Sequence, residues 1–147
     1  IRRLVAAFYR RVFSDPEGWF RNIFEGRDEA DAVQNLGDFM VERLGGPDYY
    51  GQRKGPSALI ARHMAFGIRR GAAGQWLQHM EAAMAEVDAF DAAAAGMLWD
   101  YFRYQAHFIA YVYLRSHGSP AFDAASAESR AEWGGACSAQ CTPEELG

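Results

Sequence analysis

The sequence predicts an all-α domain of about five helices, with one long loop just before a histidine. Three observations predict it. Apolar residues recur every three or four positions in several stretches. No stretch alternates with the period of two that a half-buried strand requires. Gly-, Pro- and Asp-containing breaks separate the periodic stretches.

The first helix covers residues 1–13, where Leu4, Val5, Phe8, Val12 and Phe13 stand at helical spacings. Ser14-Asp15-Pro16-Glu17 reads as a stop and a new start. Asp15 is placed to cap and Pro16 suits the first helical position. A short helix through Trp19, Phe20, Ile23 and Phe24 follows. A third helix over residues 28–44 carries Val33, Leu36, Met40 and Leu44 in one stripe, and Gly45-Gly46-Pro47 ends it. Residues 45–56 are too rich in Gly, Pro and polar groups for a regular element, and a loop of that length is often functional. Ser57 can cap a short helix ending near His63. A longer helix over 70–90 places Trp76, Met80, Ala83, Met84 and Val87 on one face. The last, over 92–115, is marked by Leu98, Phe102, Ala106, Ile109 and Tyr113. The reading is therefore a domain over 1–116 and an irregular tail over 117–147, with one weak helix near 123–133.

Composition limits what such a domain does. Half of the 147 residues are apolar, enough for a core, and 14% are aromatic, which suits a pocket around a large flat ligand. A net charge of −4 and a pI near 5.5 argue against nucleic acid, whose binders show a basic stripe. No apolar run approaches the roughly 20 residues of a membrane span, and no signal-peptide pattern is present. We expect a cytoplasmic protein. Cys137 and Cys141 are too few for a disulfide framework and lack the company of a closed zinc site, so they read as tail thiols. The P-loop, the dinucleotide fingerprint and Gly-x-Ser-x-Gly are missing, as are the Glu-x-x-His pairs of a di-iron bundle.

His63 is the most informative residue. It follows Ala58-Leu59-Ile60-Ala61-Arg62 and comes thirteen residues before Trp76. Imidazole is a common metal ligand and one way of holding haem iron, although a histidine on an apolar face is more often a plain core residue. His79, His107 and His117 read as having no functional role, with His107 half-buried.

The ordered series around His63 decides between these readings. It comprises Phe8-Tyr9, Trp19-Phe20-Arg21-Asn22-Ile23-Phe24, Asp31-Ala32-Val33-Gln34-Asn35, Gly45-Gly46-Pro47, Tyr50 to Gly55, Ala58 to His63 and Trp76 to Met80. Over residues 1 to about 115 this series resembles the group II truncated (two-over-two) haemoglobins of plants and bacteria. The resemblance implies a truncated globin fold, a two-over-two helical sandwich around haem b, with the iron held by His63. It implies that Arg62 pairs with a haem propionate, as guanidinium suits carboxylate geometry. Lys54 and Tyr50 are further propionate candidates. Phe24 is expected at the haem edge, and Tyr9, Ala32, Leu36 and Trp76 around the bound gas. A phenol or indole donor in a dry pocket stabilises the partial negative charge that O2 acquires there. Ala32 is small where many haemoglobins carry a distal His, and Leu36 is apolar where some relatives carry Gln, so polarity rests on Tyr9 and Trp76. The chain departs from the family in reading Gly55-Pro56-Ser57 where relatives read Gly-His-Pro, and in lacking the Pro often found after the proximal His.

Two functions follow from the resemblance. One is reversible binding of O2 and other diatomic gases at a five-coordinate iron. The other is redox catalysis, as an NO dioxygenase or a peroxidase-like enzyme, which needs a reductase in trans because the sequence carries no flavin or nicotinamide domain. Expected partners are O2, NO, CO or other small haem ligands, that reductase, and a second copy of the chain in a homodimer, with neither nucleic acid nor membrane.

Overall fold

The computed structural model describes residues 1–118, and these contain seven α-helices and no strand. The expected helix near 123–133 and the two cysteines lie outside the described residues. Helix α1 (Arg2–Phe13) buries Leu4, Val5, Ala7, Phe8 and Val12, the stripe its periodicity implies. Ser14 ends it by donating its hydroxyl to the Arg10 carbonyl at 2.7 Å, which satisfies one of the orphan acceptors of the last turn.

Helix α2 (Gly18–Arg21) begins later than the Asp15-Pro16 signal suggests, and runs on into a 3-10 turn over Asn22–Phe24. Glu17 is its N-cap residue, without a side-chain cap. Asp15 does not cap the helix. Its carboxylate turns inward, where it accepts from the Glu17 amide at 2.6 Å and from two side chains of another helix.

Helix α3 (Glu29–Arg43) starts as its sequence dictates. Asp28 accepts from the Asp31 amide at 3.0 Å, and Glu29 and Asp31 place negative charge at the positive helix end. It stops where Gly45 takes a φ of +85°, a conformation open to glycine, and the Gly46 amide returns to the Val41 carbonyl.

The segment expected to be an irregular loop contains helix α4 (Tyr49–Lys54). Its local propensity is poor, but tertiary contacts outweigh it. Tyr50 is buried edge-on against Phe39 of α3 (5.6 Å), and Glu42 accepts from the Gly51 amide at 3.2 Å. Arg53 donates to Asn35 and to the buried Asp38, both at 2.7 Å, and so ties α4 to α3. Gly55, at φ +72°, ends α4. Helix α5 (Leu59–His63) has Ala58, not Ser57, as its N-cap residue. The Ser57 hydroxyl is used instead as an acceptor for Arg43 of α3 (2.9 Å). A 3-10 turn over Met64–Phe66 and Gly67 at φ +63° complete the descent from α5.

The two long helices supply the other layer. Helix α6 (Arg70–Val87) buries Ala72, Ala73, Leu77, Met80 and Ala83, and ends at Asp88 in the left-handed region, three residues short of the expected limit. Asp91 caps α7 (Ala92–Ser116) through the Ala94 amide at 2.8 Å. His107 is half-buried, as expected. Helix α1 packs against α3 and against α6, and α6 packs against α7, so the pair α1–α3 lies over the pair α6–α7. Phe8, Phe20, Leu4, Met40 and Met80 fill the space between the pairs. No helix among the described residues is long and apolar enough to cross a membrane.

Candidate functional site

The two helix pairs do not close on each other completely. Between them, with α4 and α5 as a floor, lies a cavity of about 590 Å³. This is within the ~300–1,000 Å³ usual for small-molecule and cofactor sites. Its wall includes Tyr9 from α1, Phe24 from the turn after α2, Ala32 and Leu36 from α3, and Trp76 from α6. Its floor includes Tyr50 and Lys54 from α4 and Arg62 and His63 from α5. Every site residue expected from the sequence thus faces one space.

His63 is set by its own helix. A carbonyl oxygen can only accept, so the 2.6 Å contact with Leu59 O makes Nδ1 the protonated nitrogen. That leaves the Nε2 lone pair of a neutral ring free to ligate a metal, the tautomer that such second contacts select. Burial holds the imidazole pKa below its usual value and outweighs the Leu59 hydrogen bond, which acts the other way. The ring is therefore neutral at pH 7. No group of three or more His, Cys, Asp or Glu side chains converges as a metal site among the described residues.

Another part of the lining is a connected aromatic cluster. Phe8 meets Tyr9 edge-on at 4.9 Å and Trp76 at 4.8 Å. Tyr9 meets Phe24 at 6.2 Å, and Trp76 meets Phe102 at 5.7 Å. Tyr9 and Trp76 are thereby held on either side of one fully buried ring, Phe8. Neither the Tyr9 hydroxyl nor the Trp76 indole N–H has a hydrogen-bond partner among the described residues, although both side chains line the cavity. Burial pushes the Tyr9 pKa up to about 12, so the phenol keeps its proton and remains a donor. Ala32 and Leu36 contribute only hydrocarbon.

Cations stand at the rim. Arg62 donates to the Lys54 carbonyl at 2.9 Å and lies over the Tyr50 ring, 5.7 Å from its centre. Lys54 and Arg27 also border the cavity, and Arg27 lies over the Phe66 ring at 5.0 Å. Sequence reasoning missed Arg27, which sits in a short connection without periodicity. It also missed Tyr101, Gln105 and Ile109, by which α7 closes one side. Their spacing of four is that of any buried helix face, so no signal separated pocket from core. Burial, opposed by the nearby Arg43 charge, raises the Tyr101 pKa.

An all-helical sandwich around a cavity lined by one neutral imidazole and two hydrogen-bond donors has the makings of a cofactor site. A flat apolar macrocycle with two carboxylates fits these residues, since it needs aromatic walls, one nitrogen ligand and rim cations. The bacterial-like globin family matches residues 1–110. A group 2 truncated haemoglobin from Lotus japonicus is 45% identical over 102 residues, which cover 69% of this chain and 61% of that protein. The chain thus spans about three-fifths of the length of that curated relative. Among solved structures, the truncated oxygen-avid haemoglobin of Bacillus subtilis superposes with a TM-score of 0.67 at 30% identity, covering 74% of this chain and 88% of that one. A thermostable haemoglobin from Thermobifida fusca gives 0.68 at 32% identity, covering 74% and 85%. The chain belongs to the bacterial-like globin family and, within it, to the group II truncated haemoglobins with the two-on-two fold. Membership implies a haem cofactor.

Proposed function

We propose that this globin binds O2 and other diatomic gases reversibly at a five-coordinate haem b. When bound, the haem supplies a ferrous iron that takes up such gases. His63 is its single protein ligand, through Nε2. Arg62 pairs with one propionate, with Lys54 and Tyr50 beside the same rim, and Phe24 packs at the macrocycle edge. Tyr9 and Trp76 donate hydrogen bonds to the gas. Ala32 offers no side chain that could reach iron from the far side, and Leu36 keeps that side dry. We place the domain boundary at residue 116, the end of α7.

The observation that carries this reading is the sharing of one cavity by a neutral imidazole, whose Nδ1–H is already engaged, and two donors without partners among the described residues. Each donor meeting a partly charged acceptor is worth about 1.5–3 kcal/mol. Tyr9→Phe and Trp76→Phe should each speed O2 release by roughly 10- to 150-fold in stopped-flow measurements. His63→Gly should lose haem unless free imidazole is supplied. Normal haem spectra in His63→Gly without imidazole, or unchanged release in both donor variants, would overturn the assignment. Two donors also favour slow release, which suits redox chemistry such as oxidation of NO to nitrate with a reductase in trans. Stoichiometric NO consumption without turnover in the presence of a reductase rejects that second reading.

A further inference from the structure

We infer that Asp15 is a positioning residue for the gas-binding donor Trp76, an inference that rests on the function proposed above. Asp15 is a fully buried carboxylate in the connection between α1 and α2, one of two buried acidic side chains among the described residues. It accepts hydrogen bonds from the Glu17 amide at 2.6 Å, from Gln75 Nε2 at 2.8 Å and from His79 Nε2. Gln75 and His79 flank Trp76 on α6, one residue before it and three after it. The turn of α6 that carries the indole is therefore tied at both sides to one buried charge on a different segment. Arg21 of α2 donates to the Asp15 carbonyl at 3.0 Å, which holds that segment in turn.

The second donor is reached from the same point. The His79 ring lies 5.5 Å from Phe20, Phe20 lies 5.5 Å from Phe24, and Phe24 lies 6.2 Å from Tyr9. A carboxylate in hydrocarbon is stabilised only while its hydrogen bonds are kept, so the cluster resists small rotations of α6 against α1. Such rotations are the ones that would change how far Trp76 projects into the cavity. Asp15 does not line the cavity, and acts through Trp76.

The test uses the full haem-loaded chain with Asp15→Asn, which keeps the shape and removes the charge, and Gln75→Leu, which removes one bond only. In the ferrous carbonmonoxy protein, the indole N–H cross-peak of Trp76, assigned by its loss in Trp76→Phe, should shift in both variants. The infrared CO stretch should move with it. O2 release should quicken by about three- to tenfold in the wild-type background and by nothing further in a Trp76→Phe background. Equal acceleration in both backgrounds, or an unmoved indole signal in both variants, overturns the inference, because general loosening would then account for the change. If Trp76→Phe itself leaves release unchanged, the donor role fails. The indole shift in Asp15→Asn still decides whether Asp15 positions that side chain.

Discussion

Asp38 shows at the scale of one residue how this fold handles a buried charge. It is 4% exposed and receives Arg2 at 2.9 Å and Arg53 at 2.7 Å. Burial on its own raises a carboxylate pKa, but hydrogen bonds from Arg53 and Arg2 and their charges outweigh it and hold Asp38 below the usual range. Asp15 is held low in the same way: burial opposes, and Gln75, His79 and the Glu17 amide prevail. A depressed folded-state value means that the stabilisation is complete above the unfolded pKa of about 4, and is lost as pH falls through the lower folded value. Melting temperature should therefore drop as pH falls below about 4, beyond a gentler decline that begins near pH 6.5, where the unfolded chain takes up the proton that burial denies to His63. Asp38→Asn should flatten that acid limb, and an unchanged limb in the variant would refute the attribution. Neither carboxylate's role was legible in the sequence. Asp15 stood where a helix cap belongs, and Asp38 stood on a helix with no mark of its burial. Partners 15 to 64 residues away decided both.

Helices with a strong 3.6-residue stripe were legible because burial of that stripe is what forms them. This covers α1, α3, α6 and α7, to within three residues at each end. Helix α4 was not. Its six residues, Tyr-Tyr-Gly-Gln-Arg-Lys, have neither length nor propensity to be helical alone, and the packing of Tyr50 on Phe39 supplies what the local sequence lacks. Tyr50→Ala should therefore loosen α4 selectively. Amides of residues 49–54 should exchange at loop-like rates while those of α1 and α6 keep their protection. Uniform loss of protection along the chain would show that α4 is not a separate unit.

At the scale of the molecule, the positions that face the cavity were legible from a spaced series of residues shared with a family, and not from any one segment. His63 by itself read as well for a core residue, and Tyr9 and Trp76 read as core aromatics. Only their joint spacing brought them to one cavity. The part α7 contributes was illegible, because a helix face towards a cavity has the same periodicity as one towards a core. The proposed boundary at residue 116 predicts that a chain ending at Gly118 still takes up haem and melts within about 2–4 °C of the full chain. A larger loss would place part of residues 119–147 within the folding unit.

The floor of the cavity is built from helices of six and five residues, while its roof rests on helices of twelve to twenty-five. Segments that short do not persist by their own hydrogen bonding. A group that binds between floor and roof and has no affinity for the unfolded chain shifts the folding equilibrium by RT ln(1 + [L]/Kd), about 2.7 kcal/mol at a hundredfold excess over Kd. Supply of the cofactor would then govern how much of the chain survives proteolysis. Cleavage would fall first between Gly45 and Gly67, and abundance in the cell would track haem availability.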